Sequence, residues 1–333
     1  MILITGASGL VGSHLTLALL QRGQTVRALY RTQDSLEKVR DLFALYGQAT
    51  LFEKAHWVQA DITDVPALEP HFENIDEVYH CAALISFDPS DEKKLRKINI
   101  EGTANIVNLC LDFKVQKLCY VSSIAAIGPS LIEDSAMNES TDWNPEHNHS
   151  DYAISKHGAE MEVWRAEQEG LSVRIINPGV ILGPGFWDQG SGLIAQRVSR
   201  GLLFYTRGTT GFVGVDDVVR CMIQSMQTEN FGEQFIAVAE NQSYEWLTKT
   251  LARELKVSAP KFYAPFWLTV LVARFDGLFS WFGKKRTLSL SMAKSLHSQD
   301  AYENLKVQNQ LKIQFEPLEQ TLAKMCAYYL KKR

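Results

Sequence analysis

The sequence predicts a doubly wound α/β fold: a parallel sheet of about seven strands with helices on both faces, and a smaller, mostly helical lobe toward the C-terminus. Three observations lead there. Short, near-continuous apolar runs recur through the first 240 residues, mostly separated by stretches with helical periodicity. A glycine-rich turn, Thr5-Gly6-Ala7-Ser8-Gly9-Leu10-Val11-Gly12, joins the first run to the first helical stretch. The alternation then breaks over residues 181–211 and again from residue 241 onward.

Taken in order, the pattern predicts a strand at 2–4, a helix over 10–21 and a strand at 25–30. Leu36, Val39, Leu42, Phe43 and Tyr46 then mark one face of an amphipathic helix. Strands follow at 57–60, ending at Asp61, and at 77–81. Residues 99–113 read as helix, 117–121 as a strand ending at Ser122-Ser123, and 152–169 as helix. Strands at 173–176 and 234–238 complete the seven. Residues 181–211 are rich in glycine and read as loops, whereas 241–333 carry a mainly helical pattern. Ligands in such sheets sit outside the carboxyl ends of the strands, where late insertions can cover them. The expected division is therefore a dinucleotide-binding unit, 1–180 with 212–240, and a substrate-binding lobe, 181–211 with 241–333.

Bulk composition narrows the classes. The chain has 333 residues, 46% hydrophobic and 22% charged, as ordinary globular proteins do. Its net charge is −4 and no segment is strongly basic, which argues against nucleic acid as the main partner. Cys81, Cys110, Cys119, Cys221 and Cys326 are scattered and odd in number, which suits a reducing compartment such as the cytoplasm. No basic, apolar leader precedes the first strand and no run of about 18 apolar residues is present, so neither a signal peptide nor a membrane span is expected. His147 and His149 have no evident third ligand, so no metal is expected.

Gly6, Gly9 and Gly12 lie between strand and helix. Glycines there allow a tight turn and close backbone approach to a pyrophosphate, which the helix N-terminus attracts. The spacing Gly-x-x-Gly-x-x-Gly has one more residue in its first gap than the common Gly-x-Gly-x-x-Gly form. At the end of the second strand, where an NAD site usually presents an acid to the ribose, stand Tyr30 and Arg31. A guanidinium pairs with a 2′-phosphate, so NADP is expected over NAD. Asp34 reads as the cap of the next helix.

Tyr152 and Lys156 are four residues apart, on one face of the predicted helix. A phenol has a pKa of about 10 and trades protons near neutrality only with help, which an ammonium can supply. Ser122-Ser123 ends the preceding strand, where a hydroxyl can donate to a carbonyl oxygen as charge develops. No Gly-x-Ser-x-Gly surrounds Ser123, which sets aside a nucleophilic serine.

These motifs, in this order, resemble an extended short-chain dehydrogenase/reductase over nearly the whole chain. Thr5-Gly6-x-x-Gly9-x-x-Gly12 matches the cofactor loop, with Ser8, Leu10 and Val11 inside it. Asp61-Ile62 matches the adenine-contacting pair, and His80-Cys81-Ala82-Ala83 the motif after the fourth strand. Asn99-Ile100-Glu101-Gly102-Thr103 matches the helix whose asparagine helps organise the proton relay. Ser123, Tyr152 and Lys156 match the catalytic residues, and Asn177-Pro178-Gly179-Val180 the nicotinamide-side motif. Val215-Asp216-Asp217-Val218 and Tyr302-Glu303-Asn304-Leu305-Lys306 resemble recurring C-terminal features. The resemblance implies a Rossmann-type sheet, hydride transfer from NADPH to a carbonyl with Tyr152 as proton donor, and a homodimer through 99–113 and 152–168.

Within that family, dehydratases carry an acid pair after the active-site serine or threonine, whereas Ile124-Ala125-Ala126 follows Ser123 here. Epimerases usually hold NAD through an acid at the second strand. Arg31 and Asn177-Pro178-Gly179 resemble instead the dihydroflavonol reductase, cinnamoyl-CoA reductase and 3β-hydroxysteroid dehydrogenase group. A nucleotide-sugar epimerase and a non-catalytic dinucleotide sensor are the alternatives. Trp267, Leu271, Phe275, Leu278 and Phe282 form one apolar stripe, followed by Lys284-Lys285-Arg286. The expectation is a helix packed over an apolar substrate crevice, with peripheral membrane contact through 266–286 as the alternative.

Overall fold

The computed structural model describes residues 1–129, 135–280 and 288–331. Seven short strands form its central sheet: β1 (Ile2–Thr5), β2 (Val26–Tyr30), β3 (His56–Gln59), β4 (Glu77–His80), β5 (Lys117–Val121), β6 (Ser172–Pro178) and, later in the chain, Glu233–Ala237. All pairings among them are parallel. Between β6 and that last strand come β7 (Val180–Leu182), β8 (Phe204–Tyr205) and β9 (Thr209–Gly214), which makes Glu233–Ala237 β10. The spatial order is β10-β6-β5-β4-β1-β2-β3, so the winding reverses between β1 and β4. The crevice outside the carboxyl ends at this reversal is where such sheets bind ligands.

Each face of the sheet is closed by its own apolar layer. Ile2, Ile4, Ala28, Cys119 and Val121 point to one side and pack with Leu15 and Leu19 of helix Leu10–Gln21 and with Val218 and Met222 of helix Val215–Met226. Leu3, Leu29, Val78, Leu118 and Tyr120 point to the other and meet Ile106 and Cys110 of helix Gly102–Asp112 and Ala159 and Val163 of helix Asp151–Gln168. The alternation is the two-residue period of a strand buried on both faces.

The chain does not turn away where β6 ends. After Gly179 the chain continues as β7, which pairs with β9, and β9 pairs antiparallel with β11 (Glu240–Ser243) in a separate three-stranded sheet. A Cβ at Gly179 would stand 2.4 Å from the Gly211 carbonyl oxygen, so only glycine passes there. A further apolar cluster lies beyond: Leu182 of β7 and Trp187 after it pack with Ala195, Leu247, Leu251, Leu318, Leu322 and Met325 from helices Gly190–Ser199, Tyr244–Glu254 and Leu318–Lys331.

Three local expectations change. Residues 190–199 are helical, not loop. Gly192 lets that helix touch the Phe186 carbonyl, which a Cβ would approach to 2.0 Å. The helix after β2 is capped by Thr32, whose side chain accepts from Ser35 N–H, while Asp34 sits in the first turn. The apolar stripe is largely exposed: Trp267, Leu271 and Phe275 of helix Phe266–Ser280 are 67%, 43% and 53% exposed, so it is not buried against the rest of the chain. Leu278, Phe282 and Lys284-Lys285-Arg286 lie outside the described side chains. Among the described residues no helix is long and apolar enough to cross a membrane.

Candidate active site

β1 is followed by Gly6, whose φ of +62° is a left-handed conformation; a Cβ there would also meet Ala82 N and Cα at 2.6 Å. Gly12 is excluded from substitution for another reason. Its Cβ would lie 2.2 Å from the Gly6 carbonyl oxygen, because the first turn of the helix rests on the loop itself. Gly9 is the N-cap, contributes no side-chain cap, and has an open outer face. The first-turn N–H groups, at Leu10, Val11 and Gly12, are thus free of a side-chain cap beside a surface an anion can approach. Gly6, Ser8, Gly9, Leu10, Val11 and Gly12 together make a cradle that fits a dinucleotide pyrophosphate.

The floor of this cradle is a buried hydrogen-bond chain. Thr5 Oγ1 lies 2.6 Å from His80 Nδ1, and His80 Nε2 lies 3.0 Å from Thr103 Oγ1. The Thr103 hydroxyl donates to the Asn99 carbonyl at 2.5 Å, so it accepts from His80 Nε2–H, and Nδ1 accepts from Thr5. Burial, assisted by the Lys156 ammonium, pushes the His80 pKa down to about 3 and keeps the ring neutral. Ala82 N–H donates to Thr5 Oγ1, which sets the Cys81-Ala82-Ala83 segment against the glycine turn.

Asn99 sits in a π-helical segment, Arg96–Glu101, that runs into helix Gly102–Asp112. Its side chain is fully engaged. Oδ1 accepts from Leu84 N–H at 2.7 Å, and Nδ2 donates to the Leu84 carbonyl at 3.0 Å and to Ser155 Oγ at 2.9 Å. Asn99 therefore clamps the loop after β4 to helix Asp151–Gln168.

That helix begins at Ser150, whose side chain accepts from Ala153 N–H. Its first turns carry Tyr152 and Lys156, both buried. The Tyr152 ring packs on Phe87 with centroids 5.5 Å apart. Burial pushes its phenol up to about 12, and a hydrogen bond with Ser123 opposes that rise. Ser123 follows β5, and its hydroxyl also accepts from Ala125 N–H. Lys156 does not point at the Tyr152 hydroxyl. Its Nζ donates to Tyr120 Oη at 2.6 Å and to the Val121 carbonyl at 2.8 Å, and burial brings its pKa down to about 7.

At the far end of the crevice Arg31 is exposed just beyond β2. Asp61 accepts from Thr63 N–H and Oγ1, and its carboxyl is held below the usual range by those bonds and by Arg31 and Lys97, against desolvation. Ile62 is buried against Gly102. Pro178, Gly179 and Val180 mark the passage from β6 to β7. His149 stacks on Trp143 with centroids 3.6 Å apart, and Trp143 stacks in turn on His157 at 4.2 Å, which anchors the loop before Tyr152. Asp217 receives Arg220 and Glu316 N–H, and Tyr302 is bound through its backbone to Asn241, so both C-terminal motifs act as ties between segments. Among the described residues no cluster of His, Cys, Asp or Glu could hold a metal ion.

A sequence profile of the NAD-dependent epimerase/dehydratase family matches residues 2–238. The chain belongs to that family. It is 30% identical over 253 residues to sterol demethylase protein B of Methylococcus capsulatus, covering 74% of this chain and 73% of that one. It is 31% identical over 191 residues to dihydroflavonol 4-reductase of Arabidopsis thaliana, covering 54% and 49%. Among solved structures it resembles UDP-glucose 4-epimerase of Thermotoga maritima, with a TM-score of 0.78, 20% identity and coverage of 99% of both chains. The family member described here is an NAD(P)-dependent oxidoreductase, similar in sequence to dihydroflavonol reductases.

Sequence reasoning placed Ser123, Tyr152 and Asn99 in one neighbourhood, and the structure brings them together. It missed Tyr120 and Glu160, and it placed Thr5 and Thr103 in motifs without giving either hydroxyl a task. The signal for Glu160 was its place four residues after Lys156 on the same helix face.

Proposed function

We propose that this enzyme uses NADPH to reduce the ketone or aldehyde of an apolar small molecule. The observation that carries the reading is the Ser123–Tyr152 hydroxyl pair just beyond the carboxyl end of β5, in the same parallel sheet whose β1 leads into the glycine cradle. When bound, the reduced nicotinamide supplies the hydride. Tyr152 O–H donates its proton to the carbonyl oxygen, and Ser123 donates a hydrogen bond to the same oxygen. Lys156 places a cation beside the reacting groups, and Asn99 holds the surrounding loop. Burial around Tyr152 excludes water and keeps the phenol protonated, which suits a proton donor. Arg31 supports NADP over NAD, as its guanidinium can meet a 2′-phosphate at the end of β2. Residues 181–211 and 241–333 serve in this reading as the substrate lobe.

The test is a panel of ketones, aldehydes and UDP-sugars with NADPH and NADH, read by nicotinamide absorbance. Carbonyl-dependent oxidation of NADPH is the expected result. Conversion of a sugar nucleotide without net cofactor consumption would replace it with the NAD epimerase reading, and cofactor binding with no turnover would favour a sensor.

The outward stripe on helix Phe266–Ser280 supports a second feature. Trp267, Leu271 and Phe275 are joined by exposed Phe266 and Val272, and Lys284-Lys285-Arg286 follow in the sequence. An apolar face next to a basic run suits an anionic bilayer surface. Co-sedimentation with anionic liposomes that is lost in Trp267→Ser/Phe275→Ser supports it; equal pelleting of both proteins rejects it. Dimerisation through 99–113 and 152–168 is checked by light scattering coupled to gel filtration.

A further inference from the structure

Strand β5 alternates. Leu118 and Tyr120 face helix Asp151–Gln168, while Cys119 and Val121 face the opposite layer. Tyr120 is thus delivered from the sheet onto the same face that Lys156 occupies on the helix. The two meet at 2.6 Å between Nζ and Oη, and the ammonium also lies 4.3 Å from the centre of the Tyr120 ring. The His80 ring stacks on Tyr120, with centroids 5.4 Å apart and planes at 29°. Both Tyr120 and Lys156 are almost completely buried.

One helical turn beyond Lys156 stands Glu160, a carboxyl only 3% exposed. Asn177 Nδ2 donates to its Oε1 at 2.6 Å and to the Ser123 carbonyl at 3.0 Å. The reaction proposed above gives neither Tyr120 nor Glu160 a task. A carboxyl so deeply buried is costly unless a cation or donors compensate it.

We propose that Tyr120 and Glu160 are positioning residues for Lys156: the Tyr120 hydroxyl accepts from the ammonium on the sheet side, Glu160 supplies the opposite charge along the helix, and together they keep the cation at the carboxyl end of β5. The proposal deepens the functional reading above and rests on Lys156 belonging to the reacting set. The titratable groups around Lys156 are Glu160 and Tyr152 from its own helix, Tyr120 from β5, and His80 and Cys81 from the end of β4. Only Glu160 among them is a carboxyl. Burial drives Lys156 toward its neutral form and Glu160 supports the charged one; the same holds for Glu160, whose pKa burial raises to about 7 while Ser122, Asn177 and Lys156 pull it back toward the charged form.

The experiment follows the lysine directly. Protein with isotopically labelled lysine ε-carbons is titrated by NMR, and Lys156→Met identifies the signal. The parent is expected to titrate near neutrality. Tyr120→Phe removes one acceptor and keeps the ring, and Glu160→Gln removes the countercharge and keeps an acceptor for Asn177. Each should move the Lys156 midpoint down by about one pH unit or more and lower kcat, with NADPH affinity and melting temperature little changed. An unmoved midpoint in Tyr120→Phe and Glu160→Gln overturns the proposal, as a purely packing role would leave it. Should Glu160→Gln fail to fold, Tyr120→Phe decides alone. A moved midpoint in a protein whose Tyr152→Phe variant still turns over would uphold the positioning and reject the functional reading instead.

Discussion

Thr5 Oγ1 stands 2.6 Å from His80 Nδ1, so the last residues of β1 and β4 are joined directly beneath the glycine turn. The bond requires a neutral imidazole, and His80 is fully buried with its pKa lowered to about 3. The unfolded chain binds a proton at this residue from about pH 6.5 downward and the folded chain does not, so the stability it contributes is present above that pH and is lost as pH falls toward 3. Denaturant unfolding at a series of pH values should show this loss, up to roughly 4 kcal/mol. His80→Gln should be less stable near neutrality and flatter across the same window. An acid slope identical to the parent's would contradict the role.

Replacing Tyr152 by Phe removes one hydroxyl from a site where the ring still packs on Phe87. Turnover should fall by about a hundredfold or more, the usual scale for general acid catalysis, with NADPH affinity unchanged. Fluorescence titration of the cofactor beside steady-state rates separates the two quantities. Full activity in the variant would remove Tyr152 from the mechanism.

Two glycines of the same loop should fail in different ways. Gly12→Ala forces a Cβ onto backbone atoms of Gly6 and Ala7, which cannot swing aside, and should cost about 3 kcal/mol of stability or more. Gly9 has φ −96° and meets only the Gly6 oxygen at 3.4 Å, so Gly9→Ala should fold with a near-parental melting temperature. Its methyl group would stand on the open face, and dinucleotide affinity should drop. Equal melting temperatures for Gly12→Ala and the parent would show that the loop is more pliant than its geometry implies.

Arg31 is exposed, so solvent screens its charge and its effect should be moderate. Arg31→Ala should narrow the preference for NADPH over NADH by about tenfold in kcat/KM, the size of one charge-assisted hydrogen bond. An unchanged ratio would place 2′-phosphate selection elsewhere.

The seven strands and the glycine turn were legible because their signals are local: an apolar run of four or five residues, a turn that only glycine can make. What escaped was set by distant partners. Gly190, Ser191 and Gly192 read as loop residues, yet they open a helix, and the Phe186 backbone rests on it at Gly192. Tyr120 looked like one more apolar strand residue, since nothing in Lys117–Val121 reveals that an ammonium 36 positions later lies against its hydroxyl. The stripe from Trp267 to Phe275 was visible as a period but not as a direction. Periodicity assigns residues to one face and leaves open whether that face meets protein or solvent.

The passage at Gly179 couples the two sheets in series. Asn177, two residues earlier, grips both the Ser123 carbonyl and Glu160, and Val180, one residue later, is already paired in the small sheet. Force applied to the small sheet therefore reaches the Ser123 backbone through a few covalent bonds and one amide, with no soft loop between them.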